Sequence, residues 1–120
     1  MRILFDQCMA DDLKKSLPAH DVTFTRHMNW SELSNGQLLA AAEAAGFDLM
    51  ITSDKNLKYQ QNLSKRRISI IVLGNNYWPE VQRHLVEIVT AVEAASPNSY
   101  QEIPMLTRKE FLRRALWTQS

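Results

Sequence analysis

Hydrophobic and polar positions along this 120-residue chain alternate between the periods of strand and helix. Arg2 to Asp6 is a short, mostly apolar run ending on a carboxylate, the pattern of a buried strand feeding a loop. From Met9 to Leu17 the apolar Met9, Leu13 and Leu17 recur every four residues, with Asp11, Asp12, Lys14 and Lys15 between them. This spacing predicts an amphipathic helix, with Pro18 just beyond its end. His20 to Thr25 is rich in β-branched residues and predicts a second strand, whereas Arg26 to Leu33 has no clear period and predicts a loop or one helical turn.

Ser34 followed by Gln37 fits a capping box, and Leu38, Leu39, Ala42 and Ala45 mark one face of a helix stopped by Gly46. Phe47 to Thr52 predicts a third strand ending at Ser53 and Asp54, and the apolar run Ile68 to Leu73 suits a fourth, covered on both faces. Between them lies the polar, basic stretch Lys55 to Arg67. After Gly74, Asn75 and Asn76, Pro79 opens a long helix with the face Val81, Leu85, Ile88, Val89 and Val92, ended by Pro97 and Asn98. Tyr100 to Ile103 fits an edge strand. Thr107 and Glu110 form a second capping box, for a terminal helix carrying Phe111, Leu112, Ala115 and Leu116 beside Arg108, Lys109, Arg113 and Arg114.

Alternating strands and helices imply βαβ units, hence an α/β fold with a mainly parallel sheet covered on both faces. The length suits one domain able to bury its own core, and 45% hydrophobic with 22% charged residues is ordinary globular usage. A net charge of +1 gives no bulk attraction to nucleic acid, so any such site must be a local patch. The single cysteine, Cys8, excludes an internal disulfide framework and fits a reducing compartment. No apolar run approaches the ~20 residues needed to span a bilayer, so the expectation is a cytoplasmic protein without membrane contact. Gly36, Gly46 and Gly74 are scattered, which leaves no phosphate-binding glycine loop.

In open parallel sheets the ligand crevice lies beyond the carboxyl ends of the strands, where both Asp6 and Asp54 fall. Two carboxylates in one crevice repel each other, and a hard divalent cation such as Mg²⁺ or Mn²⁺ relieves that repulsion while activating water. The alternative reading is that each caps a following helix. Asn35 offers a carbonyl oxygen to a cation, or serves the backbone of its capping-box turn. Lys55, Lys58, Lys65, Arg66 and Arg67, with Tyr59 interleaved, suit a groove that tracks phosphates, or an ordinary solvated loop. Cys8 could face the crevice as an activated thiol or pack as a buried apolar group. His20, His27 and His84 lack metal-ligand spacing and are read as surface or capping residues.

Three segments, Ile3-Leu4-Phe5-Asp6-Gln7, Ser34-Asn35-Gly36-Gln37-Leu38-Leu39 and Leu49-Met50-Ile51-Thr52-Ser53-Asp54-Lys55-Asn56-Leu57, resemble the ordered signatures of the PIN-like family. The likeness extends through Ile68 to Leu73 and the ending Ser99 to Pro104. It implies a PIN-like domain over residues 1–104, an α/β/α sandwich, with residues 105–120 as an amphipathic helical extension. The resemblance further implies acidic residues that gather Mg²⁺ or Mn²⁺ to hydrolyse RNA phosphodiesters, in many relatives as a toxin paired with an antitoxin protein. Asp6 and Asp54 match the first and third acidic positions. The chain departs from the pattern with Gln7 and Cys8 where Glu and Asn often follow, and with Asn35 where the second motif often has an acid.

Three functions follow. The first is a metal-dependent ribonuclease with Asp6 and Asp54 as catalytic metal ligands and Asn35 as a weaker one. The second is a catalytically degenerate PIN-like module that binds RNA or a protein partner, a second copy included. The third is a receiver-like phosphoacceptor domain, suggested by Asp54 and the late Lys109, which calls for an acidic pair after the first strand where this chain has Asp6, Gln7 and Cys8.

Overall fold

A computed structural model of the chain describes residues 1–6, 8–55, 57, 66–105 and 108–119, apart from the side chains of 108, 111 and 117–119. Five strands, β1 (Arg2–Phe5), β2 (Asp21–Phe24), β3 (Leu49–Thr52), β4 (Ser69–Leu73) and β5 (Tyr100–Ile103), form one sheet in the order β2-β1-β3-β4-β5. Every pairing is parallel, including that of β5, which joins β4 with Ile70 opposite Tyr100 and Leu73 opposite Ile103. The described helices are α1 (Asp11–Lys15), α2 (Asn35–Ala44), α3 (Trp78–Arg83), α4 (Leu85–Ala94) and α5 (Arg108–Gln119), with one 3₁₀ turn at Thr25–Met28. The segment without clear period thus becomes a single turn.

Side chains alternate across the pleat, and the alternation divides the core. Leu4, Met50, Ile70 and Val72 point to one face, where Leu38, Leu39 and Ala42 of α2 cover them. Ile3, Phe5, Ile51, Ile71 and Leu73 point to the other and meet Leu13 of α1, Val81 of α3, and Ile88 and Val92 of α4. Helices on both faces are compatible with a three-layer α/β/α sandwich. Each fully buried aliphatic or aromatic side chain contributes about 1.5–3 kcal/mol relative to its exposed state, so the central strands hold much of the stability. None of the helices among the described residues is long and apolar enough to cross a membrane.

Two elements differ from their pattern. The first helix keeps Met9, Leu13 and Leu17 buried but is helical only over Asp11–Lys15, its N-cap being Ala10. The long helix opened by Pro79 is interrupted at His84, which sits at φ −107°, ψ 16° and donates its amide to Val81 O at 3.0 Å. The apolar spacing runs unbroken across that interruption, so periodicity conceals it. His84 takes the cap position between α3 and α4, without a side-chain cap bond, and is buried rather than on the surface, with its Nδ1 3.1 Å from Oε1 of Glu87. Cys8 is exposed rather than packed.

Gly46 ends α2 with φ +85°, a conformation that disfavours any Cβ, and a Cβ there would lie 3.1 Å from Nη1 of Arg2. That guanidinium donates to Ala45 O and stacks over the Phe47 ring at 4.5 Å, so it has little freedom to retreat. Gly46→Ala is therefore expected to destabilise the protein by about 1–2 kcal/mol, lowering the urea midpoint with no change in slope.

Candidate functional site

The strand order reverses direction between β1 and β3: the chain moves outward from β1 to β2, then returns past β1 to place β3, β4 and β5 on its other side. This is the topological switch point of a doubly wound sheet, where the loops leaving the two strands part and open a crevice. Asp6 follows β1 and Asp54 lies two residues beyond β3, so both carboxylates stand at that crevice. The Asp6 amide extends the ladder by donating to Ile51 O at 3.0 Å, which fixes the height of Asp6 against β3.

Between the two acids stands Thr52, the last residue of β3 and only 2% exposed. Its Oγ1 donates to Oδ2 of Asp6 at 2.8 Å and accepts from the amide of Asp54 at 3.1 Å. Oδ2 of Asp54 in turn accepts from Nδ2 of Asn35 at 3.0 Å. One continuous series, Asp6–Thr52–Asp54–Asn35, thus joins the ends of β1 and β3 to the first turn of α2. The start of α2 is set by Ser34 and Gln37, whose reciprocal capping box is formed, with Ser34 N donating to Gln37 Oε1 at 3.1 Å and Gln37 N to Ser34 Oγ at 3.4 Å. Asn35 therefore belongs to the capping turn and to the acidic site together. Asp6 does not cap α1, whose N-cap is Ala10.

The sequence alone marks Thr52 only as the end of a strand. Its available signal is a small hydroxyl two positions before a strand-terminal carboxylate, where it can bond to that residue's own amide. Thr52→Val preserves shape but strips Asp6 of a donor and leaves the Asp54 amide without this acceptor. It should cost about 1–3 kcal/mol in thermal or urea unfolding, while Thr52→Ser should recover most of the loss.

Among the described residues no three His, Cys, Asp or Glu side chains gather as a metal cluster, so the site consists of two carboxylates and one carboxamide. That set suits a cation which takes oxygen ligands, needs one or two carboxylates, and completes its shell with water and phosphate oxygens, as Mg²⁺ does. A ligand from Asn35 would be Oδ1 of the carboxamide whose nitrogen already holds Asp54. Asp11 and Asp12 lie elsewhere: Asp11 pairs with Arg26 at 3.1 Å and Asp12 with Lys15 at 3.8 Å on the exposed face of α1. Glu32 is exposed.

The basic residues separate. Lys55 is exposed directly after Asp54. Arg66 lies along α2, with Nη2 donating to Gly36 O at 3.5 Å and Nη1 3.9 Å from Oε2 of Glu43. Arg67 lines a cavity of about 560 Å³ with Met1, Asp48 and Ser96, at the opposite edge of the sheet from the acids. Lys58 and Lys65 lie outside the described residues, as does Gln7. Comparison with protein-family models, curated proteins and solved structures finds no match to this chain.

Proposed function

We propose that this chain is a metal-dependent ribonuclease of PIN-like type, acting at the β1/β3 switch point. The observation that carries the reading is the hydrogen-bonded series Asp6–Thr52–Asp54–Asn35, which gathers two half-buried carboxylates and a carboxamide in the crevice where such sheets bind ligands. Asp6 and Asp54 would hold Mg²⁺ or Mn²⁺, with Asn35 as a third oxygen donor. When bound, such a cation polarises a phosphoryl oxygen and lowers the pKa of water. The chain's own part is orientation: Thr52 fixes Asp6, Asn35 fixes Asp54, and Lys55 offers its ammonium to a phosphate beside them. A cytoplasmic location and an antitoxin-like protein partner belong to the same reading.

A second reading, a degenerate module that binds RNA or protein without cutting, is favoured by the number of acids, two where the metal would be held more tightly by three. The receiver-like reading shares the strand order 2-1-3-4-5. Against it, Gln7 and Cys8 stand where it needs acids, and Lys109 lies on the exposed surface of α5, beyond the end of β5. The test is incubation of purified protein with a mixed pool of structured and unstructured RNA in Mn²⁺, Mg²⁺ or chelator. Cleavage in the metal arms alone supports the ribonuclease; RNA retention without cleavage in any arm supports the binding module.

A further inference from the structure

A second feature shares the carboxyl edge of the sheet. A pocket of about 250 Å³ opens at the ends of β4 and β5, and its lining reaches Lys55, the residue after Asp54, and includes Val72, Leu73, Glu102, Ile103 and Met105. Thr52, Val72 and Glu102 occupy one rung across β3, β4 and β5. Adjacent strands are about 4.8 Å apart, so this rung leads from the residue that holds Asp6 to the pocket over two strand spacings. Gly74 lets the chain after β5 close over the end of β4, since a Cβ there would fall 2.6 Å from the Met105 amide. That close approach places Met105 on the pocket wall.

The accessible apolar wall is the partly buried Met105, packed over Leu73 and Ile103, which with Val72 are themselves almost wholly buried. Such a surface suits the face of a flat aromatic ring, and a thioether adds a favourable contact with it. The polar groups differ in sign. Lys55, joined to Asp54, suits a phosphate, whereas Glu102 repels one and accepts hydrogen bonds. Tyr100 Oη donates to Oε1 of Glu102 at 3.0 Å, which orients that carboxylate. The volume falls below the roughly 300–1,000 Å³ of drug-sized sites, and it suits a single heterocycle.

Resting on the ribonuclease reading above, we propose that this pocket receives the base of the nucleotide next to the phosphate held at Asp6 and Asp54, and that Glu102 selects guanine. Guanine presents N1–H and the N2 amino group side by side to one carboxylate. Uracil offers a single N–H flanked by two carbonyl oxygens that the same carboxylate repels. Glu102 is a specificity residue and takes no part in the hydrolysis.

The test measures binding of the four nucleoside 5′-monophosphates to the intact chain in chelator by calorimetry, and separately maps cleavage positions on RNA in Mn²⁺. GMP should bind at least about tenfold tighter than UMP, the scale of one good bidentate base contact. Glu102→Gln should bring GMP down to the level of AMP, a purine that stacks alike but lacks the paired donors, without moving the unfolding midpoint, while Asp6→Asn should keep the GMP preference. Cleavage by Glu102→Gln should continue with its base preference lost. Equal binding of all four nucleotides, or a guanine preference that survives Glu102→Gln, overturns the proposal. Cleavage without base preference removes the pocket alone, whereas a Glu102-dependent preference without cleavage retains the pocket and removes the ribonuclease.

Discussion

Asp54→Asn is expected to lower metal-dependent RNA cleavage by at least about 10³-fold, and Asp6→Asn by a similar factor, with the fold intact in both. A cation held by two carboxylates loses half of its compensating charge when either becomes an amide, and no third acid among the described residues stands by to replace it. Charge stabilisation by a bound metal is worth several kcal/mol, and each 1.36 kcal/mol is about tenfold in rate. Folding should be nearly untouched because the amide keeps one of the two carboxylate oxygens as an acceptor. At position 54 it can still accept from Nδ2 of Asn35, and at position 6 it can still accept from Thr52. The check is the initial cleavage rate at saturating Mn²⁺ beside a thermal melt. Rates within tenfold of the unmodified chain for both variants would remove these carboxylates from the chemistry.

Ile51→Ala should be among the most damaging truncations, costing about 2–5 kcal/mol. Ile51 lies in the middle strand, is fully buried, and pairs across the sheet with Phe5 and Ile71 beneath α1, α3 and α4. Its removal takes away contacts on the face where three helices meet the sheet, a place that cannot collapse without moving strands. Against a total stability of about 5–15 kcal/mol for a domain, such a loss is a large share. The natural control is Val86, 81% exposed on α4, whose change to Ala should stay within about 0.5 kcal/mol. Urea midpoints of the two variants measure the contrast directly.

The elements themselves were legible because short apolar runs and four-residue spacings are local signals. Strand ends at Asp6 and Asp54 were readable for the same reason, as was the Ser34–Gln37 capping box, which the structure forms. The meeting of those two aspartates depends instead on β3 lying beside β1, a matter of strand order that no local pattern encodes. Thr52 was hidden because a threonine closing a strand has an ordinary explanation, and its role appears only once Asp6 is beside it. The interruption at His84 was hidden by apolar positions that keep helical spacing through it. Arg66 and Arg67 are adjacent in a single basic run, yet the Arg66 guanidinium lies along α2 toward Gly36 while Arg67 lines the cavity at the far end of the strands, with Glu43 touching both.

Glu43 has a wider consequence. Its Oε1 accepts from the amides of Arg67 and Ile68 at 2.7 and 3.2 Å, tying the start of β4 to α2 just before the strand begins. Leu57, buried in the core cluster under α2, anchors the chain where it leaves β3. The connection from β3 to β4 is therefore pinned at both ends by contacts that do not depend on its length. α2 is in this sense a clamp: the helix that brings Asn35 to Asp54 also holds the start of β4 through Glu43.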